Sequence, residues 1–212
     1  LDVAEVSLLN NVLAAVNLEG NKFFYVNPLE ADGKYPFNHG TAGRAPWFGT
    51  ACCPSNMARL LPQVQGMTYA HNEENLYLAM YADTSTSLKI AGTDLAFNQT
   101  TDYPKDGKIK ISLNPKKPSS FKVHLRLPTC AGNQFVPGKL YKYLNPKKES
   151  WSLTVNGSKT QATVEKGFAI IERKWKKGDQ IILDLPMPLR INQCDKRVEE
   201  NHNRLAFTRG PF

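Results

Sequence analysis

Residues Lys108–Leu127 read KIKISLNPKKPSSFKVHLRL. Ile109, Ile111 and Leu113 alternate with Lys108, Lys110 and Ser112, while Phe121, Val123, Leu125 and Leu127 alternate with Lys122, His124 and Arg126. A side-chain period of two puts one set on a buried face and the other in water, so two strands are predicted here. Asn114-Pro115 between them is a turn signal. The same grammar recurs at Asn75–Tyr81, Ser152–Val155, Gly167–Glu172 and Gln180–Leu185. Asn145-Pro146, Asn156-Gly157 and Lys177-Gly178-Asp179 punctuate these runs. Short alternating strands with regular turns predict a mainly β chain, an antiparallel β-sandwich over residues 67–190. Strands do not alternate with helices, which argues against a doubly wound sheet. Arg204–Phe212 reads as a further strand, so residues 191–212 are expected to open a following β segment or domain.

The first 66 residues follow another pattern. Val3, Val6, Leu9, Leu13 and Val16, widened by Leu8 and Val12, repeat at helical spacing, and Gly20 is a plausible stop. Phe23–Val26 is a short extended piece closed by Asn27-Pro28. Residues 31–50 are rich in Gly, Pro, His and Asn without periodicity. A loop of about 20 residues inside a domain is uncommon and tends to be functional. The chain opens inside a helical pattern without an initiator Met and closes as a strand begins, so both ends are expected to lie within a longer protein.

A net charge of +8 raises the question of nucleic acid. Much of the excess sits in short clusters, Lys116-Lys117, Lys147-Lys148 and Arg173–Lys177, at or near turns, where lysines keep loop tips and sheet edges soluble. No basic helical stripe interleaved with aromatics accompanies them, so no nucleic-acid partner is expected. No apolar run approaches the roughly 20 residues of a membrane span, and no membrane partner is expected either. Localisation is not indicated.

Chemistry concentrates in Trp47–Leu61, WFGTACCPSNMARLL. Four cysteines in 212 residues are too few for a disulfide scaffold. Cys130 and Cys194 stand apart, either inert or bridged to each other, but Cys52 and Cys53 are adjacent. Pro54 suits a first helical position, which makes Cys53 the N-cap. Met57, Leu60, Leu61 and Val64 give the helix an apolar face, and Pro62 is expected to end or kink it after about two turns. A helix N-terminus favours thiolate, the reactive and metal-binding form. Zinc takes thiolates readily but wants about four ligands. The local donors are Cys52, Cys53, His39 and a carboxylate such as Glu30, so the segment alone is an incomplete zinc site. Competing readings are a cysteine nucleophile served by His39, His71 or His124, a redox-active thiol pair, and incidental cysteines. Phe23, Phe24, Tyr25, Trp47 and Phe48 lie near the pair in sequence, interleaved with Asn38, His39 and Arg44. Apolar ring faces beside polar groups suit a sugar.

Phe24-Tyr25-Val26-Asn27-Pro28-Leu29-Glu30, Arg44, Trp47-Phe48 and Cys52-Cys53-Pro54-Ser55-Asn56 with Arg59 together resemble the family 127 glycoside hydrolases, β-L-arabinofuranosidases, and the related family 146. Leu125-Arg126-Leu127-Pro128, Val155-Asn156-Gly157, Lys166–Ala169, Arg173–Asp179 and Arg209-Gly210-Pro211 extend the likeness in order along the chain. The double cysteine is its specific part. Pro128-Thr129-Cys130-Ala131 departs from the Gly-Trp pair that relatives often show there. The resemblance implies a retaining glycosidase in which a zinc-bound thiolate attacks the anomeric carbon and a glutamate acts as acid and then base. Cys52 then maps to the nucleophile, and Cys52 with Cys53 to zinc ligands. Tyr25 and His39 are candidate sugar-binding residues. The other zinc ligands, a glutamate and a third cysteine, and the acid/base glutamate are expected upstream of residue 1. Neither Cys130 nor Cys194 occupies the third cysteine's place. The implied fold places residues 1–66 at the end of an (α/α)6 barrel with its active-site loop. The implied partners are a carbohydrate substrate and the remainder of the barrel. A non-catalytic sandwich that binds carbohydrate or packs on a neighbouring domain is the alternative.

Overall fold

The computed structural model describes residues 1–28, 30–50, 52–146 and 149–212. Leu29 of the Phe24–Glu30 motif and the Lys147-Lys148 cluster lie outside the described residues. In chain order the strands are β1 (Tyr69–His71), β2 (Asn75–Leu78), β3 (Thr84–Ile90), β4 (Thr93–Thr101), β5 (Lys108–Pro115), β6 (Ser119–Arg126), β7 (Tyr141–Tyr143), β8 (Ser152–Val155), β9 (Ser158–Lys159), β10 (Thr163–Glu165), β11 (Phe168–Trp175), β12 (Asp179–Asp184), β13 (Leu189–Cys194) and β14 (Ala206–Arg209). They form three sheets, ordered β1-β2-β6-β11-β10, β3-β4-β5-β12-β8-β9 and β14-β13-β7. The pairings are antiparallel except for β2 with β6, which is parallel.

Lys108–Leu127 becomes β5 and β6, one strand in each of the two large sheets. β5 pairs with β12 so that Ile111 faces Ile181 and Ile109 faces Leu183. β6 pairs with β11 so that Val123 faces Ile171 and Leu125 faces Ala169. The inward sets of both sheets enter one core: Ile109, Ile111, Leu113, Val123, Leu125, Ile181 and Leu183 are wholly buried. Trp175, also wholly buried, donates its indole N–H to the Phe121 carbonyl at 2.9 Å, satisfying the polar group of a large core ring. Part of the basic run Arg173–Lys177 therefore belongs to β11. Arg173 and Lys174 stay exposed, with the Arg173 guanidinium 5.2 Å from the Trp175 ring centre.

Thr84–Ile90 and Thr93–Thr101 are strands that the alternation had not marked. Ala91 and Gly92 both adopt positive φ, 49° and 69°, the signature of the tight turn that joins such a hairpin. The Ser and Thr content of β3 hides its periodicity, while β4 buries Leu95, Phe97 and Gln99 in alternation.

The first helical segment is composite. α1 (Asp2–Ser7) passes into a π turn at Leu8–Val12 and a 3-10 turn at Leu13–Ala15. Helical backbone ends before Val16, which is extended. Glu5 and Ala15 are buried, whereas Val3 and Leu13 of the apolar stripe are exposed. α2 spans Cys52–Gln63, twelve residues instead of two turns, and corrects the expectation in two ways. Cys53 lies inside the helix rather than capping it, and Pro62 is accommodated in the last turn. Proline removes one N–H there, but its fixed φ is compatible with helix. None of its described residues is buried. The chain divides into two compact units, Val3–Gln65 and Leu1–Asp2 with Gly66–Phe212.

Candidate active site

The site-bearing unit is organised by a two-residue turn. His39 and Gly40 adopt φ of 49° and 91°, the double left-handed conformation of a tight hairpin turn. Histidine is among the few side chains enriched there, and glycine carries no steric penalty. The turn brings Asn38 opposite Thr41 in a reciprocal backbone pair, with N···O distances of 2.9 and 3.2 Å. Phe23 bridges to both Val16 and Ala45, so the long loop is cross-braced. Arg44 reaches back to donate to the carbonyls of Ala14 and Ala15, and its guanidinium sits 4.3 Å from the Phe24 ring centre.

Tyr25 is held on this frame. Its ring meets His39 edge-on at 4.2 Å and Phe48 at 5.8 Å. Phe48 is buried and packs against Phe23 at 5.1 Å. The Tyr25 hydroxyl lies 3.1 Å from Cys52 Sγ, and Cys52 Sγ lies 3.9 Å from Cys53 Sγ. The Cys52 carbonyl accepts from Ser55 Oγ at 3.1 Å and from Asn56 Nδ2 at 2.8 Å. Both thiols thus stand in the first turn of α2, where the backbone of residues 52 and 53 also hydrogen-bonds the Cys52 sulfur.

This arrangement separates the two acidities. The Tyr25 hydrogen bond, assisted by Cys53, pulls the Cys52 thiol below its ordinary pKa. Burial pushes the Cys53 thiol up, with its hydrogen bond to Cys52 adding to the rise. The Tyr25 hydroxyl is raised, first by its hydrogen bond to Cys52. A phenol donating to a thiolate is the state these directions favour. Cys52 is exposed and Cys53 half-buried. Cys53 also lines a cleft of about 540 Å³ with Phe24, Tyr25, Asn27 and Arg59, whereas Cys52 and His39 are not among its lining residues.

The pair suits half a zinc site. With Zn–S bonds of about 2.3 Å, two tetrahedral thiolates stand roughly 3.8 Å apart. The observed separation is 3.9 Å. Among the described residues no group of three or more His, Cys, Asp or Glu gathers to hold a metal, so Glu30 and His39 do not complete the set.

The other candidates fall elsewhere. No disulfide joins any of the four cysteines, so Cys130 and Cys194 form no bridge. His124 lies on β6 in the sandwich unit, stacked on Tyr77 at 4.1 Å, with Nε2 donating to Asn75 Oδ1 at 2.8 Å. His71 is on β1 of the same unit. The sequence names Asn38 among the polar residues interleaved with the aromatics but assigns it no role; it is wholly buried and bonded to the backbone of Tyr25. Its place immediately before His39-Gly40, at the start of a tight turn, is the signal for a structural role.

Comparison with known proteins gives consistent matches. The GH127 catalytic domain of β-L-arabinofuranosidases matches residues 1–66, and the GH127 middle domain matches residues 75–187. Among curated relatives, the non-reducing end β-L-arabinofuranosidase of Bifidobacterium longum subsp. longum is 28% identical over 218 residues, which take in 100% of this chain and 30% of the relative. A solved GH127 β-arabinofuranosidase superposes with a TM-score of 0.91 at 37% identity, over 99% of this chain and 32% of that one. A GH127 β-L-arabinofuranosidase from Geobacillus stearothermophilus T6 gives a TM-score of 0.81 at 31% identity, over 99% and 31%. The chain therefore spans about a third of the length of these relatives.

Proposed function

This chain belongs to the glycoside hydrolase family 127 β-L-arabinofuranosidases, and from that premise we propose that it is one section of a longer retaining glycosidase that releases β-L-arabinofuranose or a related furanoside from plant glycans. Residues 1–66 supply the closing helices and thiol loop of the catalytic domain, residues 67–190 the sandwich that follows in sequence, and residues 191–212 the start of the next β segment. The observation that carries the reading is the Tyr25–Cys52 contact in the first turn of α2.

In this proposal the Cys52 thiolate forms a C–S bond to the anomeric carbon as the glycosidic C–O bond breaks. The leaving oxygen takes a proton from a glutamic acid carried by another section of the enzyme. The resulting glutamate then draws a proton from water, whose oxygen displaces the sulfur and regenerates the thiolate. Two displacements retain the anomeric configuration. Tyr25 donates to the sulfur, and its oxygen keeps acceptor lone pairs for a sugar hydroxyl. His39, set edge-on to Tyr25, offers a second polar contact. Cys52 and Cys53 would hold zinc as two of its ligands, with a glutamate and a third cysteine expected from elsewhere in the enzyme. Zinc bound there would supply positive charge that favours the unprotonated form of both sulfurs.

The test uses an aryl β-L-arabinofuranoside. The complete enzyme is expected to hydrolyse it and the 212-residue chain alone is not. In the complete enzyme, Cys52→Ser is expected to lower turnover by about a thousandfold or more, with the fold unchanged by circular dichroism. Cys53→Ala is expected to lose the zinc measured by elemental analysis. Turnover by the isolated chain, or undiminished turnover in the Cys52 variant, overturns the reading and leaves a carbohydrate-binding or domain-packing sandwich in its place.

A further inference from the structure

One side chain sits beneath the Tyr25–Cys52 contact and touches neither group's reactive atom. Asn38 is wholly buried, with 0% of its surface exposed. Its Oδ1 accepts from the backbone N–H of Tyr25 at 2.8 Å and from that of Val26 at 3.1 Å. Its Nδ2 donates to the Gly43 carbonyl at 2.9 Å. Its own backbone is paired with Thr41 across the His39-Gly40 turn. One amide thus ties three stretches together: the extended piece that carries Tyr25, the turn that carries His39, and the approach to Arg44.

The connections have a geometric consequence. A phenol reaches its hydroxyl position through two side-chain torsions, so its placement is only as accurate as the backbone beneath it. At residue 25 that backbone is not part of a long ladder. The isolated bridges in this region join Val16, Phe23 and Ala45, and Asn38 with Thr41. The N–H groups of residues 25 and 26 are instead both satisfied by Asn38. A buried amide that makes three hydrogen bonds to backbone restricts such a segment more than surface packing can.

Resting on the nucleophile reading given above, we propose that Asn38 is a positioning residue, which fixes the backbone of Tyr25 so that the phenol hydroxyl meets the Cys52 sulfur. It acts on the reaction through the placement of Tyr25. The aromatic pair His39 and Phe48 sets the tilt of the ring, and Asn38 sets its origin. Losing the Oδ1 acceptor frees the residue 25–26 backbone and moves the hydroxyl off the sulfur, with Cys52 itself still held by Ser55 and Asn56.

The experiment is a double-mutant cycle in the complete enzyme, with Asn38→Ala, Tyr25→Phe and both together. Asn38→Ala is expected to lower kcat about tenfold with KM changed less than threefold, and Tyr25→Phe to do the same. The double variant is expected to match Tyr25→Phe alone within a factor of about two, because Asn38 has nothing to position once the hydroxyl is gone. In a crystal structure of Asn38→Ala, the Tyr25 hydroxyl is expected beyond hydrogen-bond reach of Cys52 Sγ. Losses that multiply, or a lowered melting temperature with kcat intact, overturn the proposal. Should Asn38→Ala fail to fold, Asn38→Asp decides, since it keeps the acceptor for both N–H groups. Retained kcat with the hydroxyl still on sulfur supports the proposal, and lost kcat with that contact intact overturns it. A Cys52→Ala enzyme that still turns over refutes the nucleophile reading alone, and the crystallographic distance continues to test the placement by Asn38.

Discussion

The two units of this chain are held together by different physics. In the sandwich unit, β5, β6, β11 and β12 send alternate aliphatic side chains into a shared dry core, where residues such as Ile111, Val123 and Ile181 have no exposed surface. The benefit of burial there is roughly proportional to apolar area and is non-directional, so it needs no particular partner. The site unit buries little: Glu5, Ala15, Asn38 and Phe48 are its fully buried residues among those described. Its long loop is held by directional bonds from Asn38 and Arg44 and by ring contacts around Tyr25. A frame made of a few polar staples positions atoms well but opens locally at low cost. The comparison teaches that stability and placement are divided between the units.

The largest expected effect breaks the sandwich and leaves the site chemistry alone. Trp175→Ala removes a wholly buried ring and its hydrogen bond to Phe121, and is expected to cost about 3–5 kcal/mol in denaturant unfolding. Turnover per folded molecule is expected to stay unchanged. A loss of turnover larger than the loss of folded protein would undo the division.

A smaller effect sharpens it from the other side. Arg44→Ala removes two hydrogen bonds to the Ala14 and Ala15 carbonyls and the contact with Phe24. We expect about 1 kcal/mol of local destabilisation. Hydrogen exchange at Phe23, Phe24 and Ala45 should quicken severalfold, with protection in β5, β6, β11 and β12 unaltered. Equal quickening in those strands would mean that the two units open together.

The smallest effect concerns pH and belongs to the sandwich. Burial holds the His124 pKa below the ordinary histidine value, with Lys122 adding to the shift and Glu165 opposing it. The unfolded chain therefore takes up the proton first as pH falls. The stabilising contribution of neutral His124 is complete above about pH 6.5 and declines below it. Melting temperature should drop between pH 7 and 5.5, and His124→Gln should flatten that dependence. A variant with the same slope as the parent would assign the dependence to other groups.

Much of the architecture was legible because strand and helix periodicity are local. Ile109, Ile111 and Leu113 declare their common face within six residues, and the structure puts that face in the core. β3 escaped because Thr84, Ser85, Thr86 and Ser87 offer no contrast between faces, and its pairing with β4 is set by the Ala91-Gly92 turn. α2 was placed at the thiols, but its length was misread, since a proline in a last turn removes one hydrogen bond without forbidding helical φ. The apolar stripe of the first helical segment was visible, yet periodicity alone does not say what lies against it. Val3 and Leu13 remain exposed.

Residue types and their spacing determined by themselves that this chain makes strands, that a helix begins at two adjacent thiols, and that aromatic and polar residues crowd one long loop. The tertiary structure alone decided which of those loop residues meet. Tyr25 reaches Cys52 across 27 residues of sequence, and Asn38 reaches Tyr25 across 13. The physical reason is that a repeating pattern constrains neighbours through backbone geometry, whereas a hydrogen bond between distant residues depends on the whole path of the chain between them. That path is fixed here by a two-residue turn, a buried amide and an arginine clasping two carbonyls.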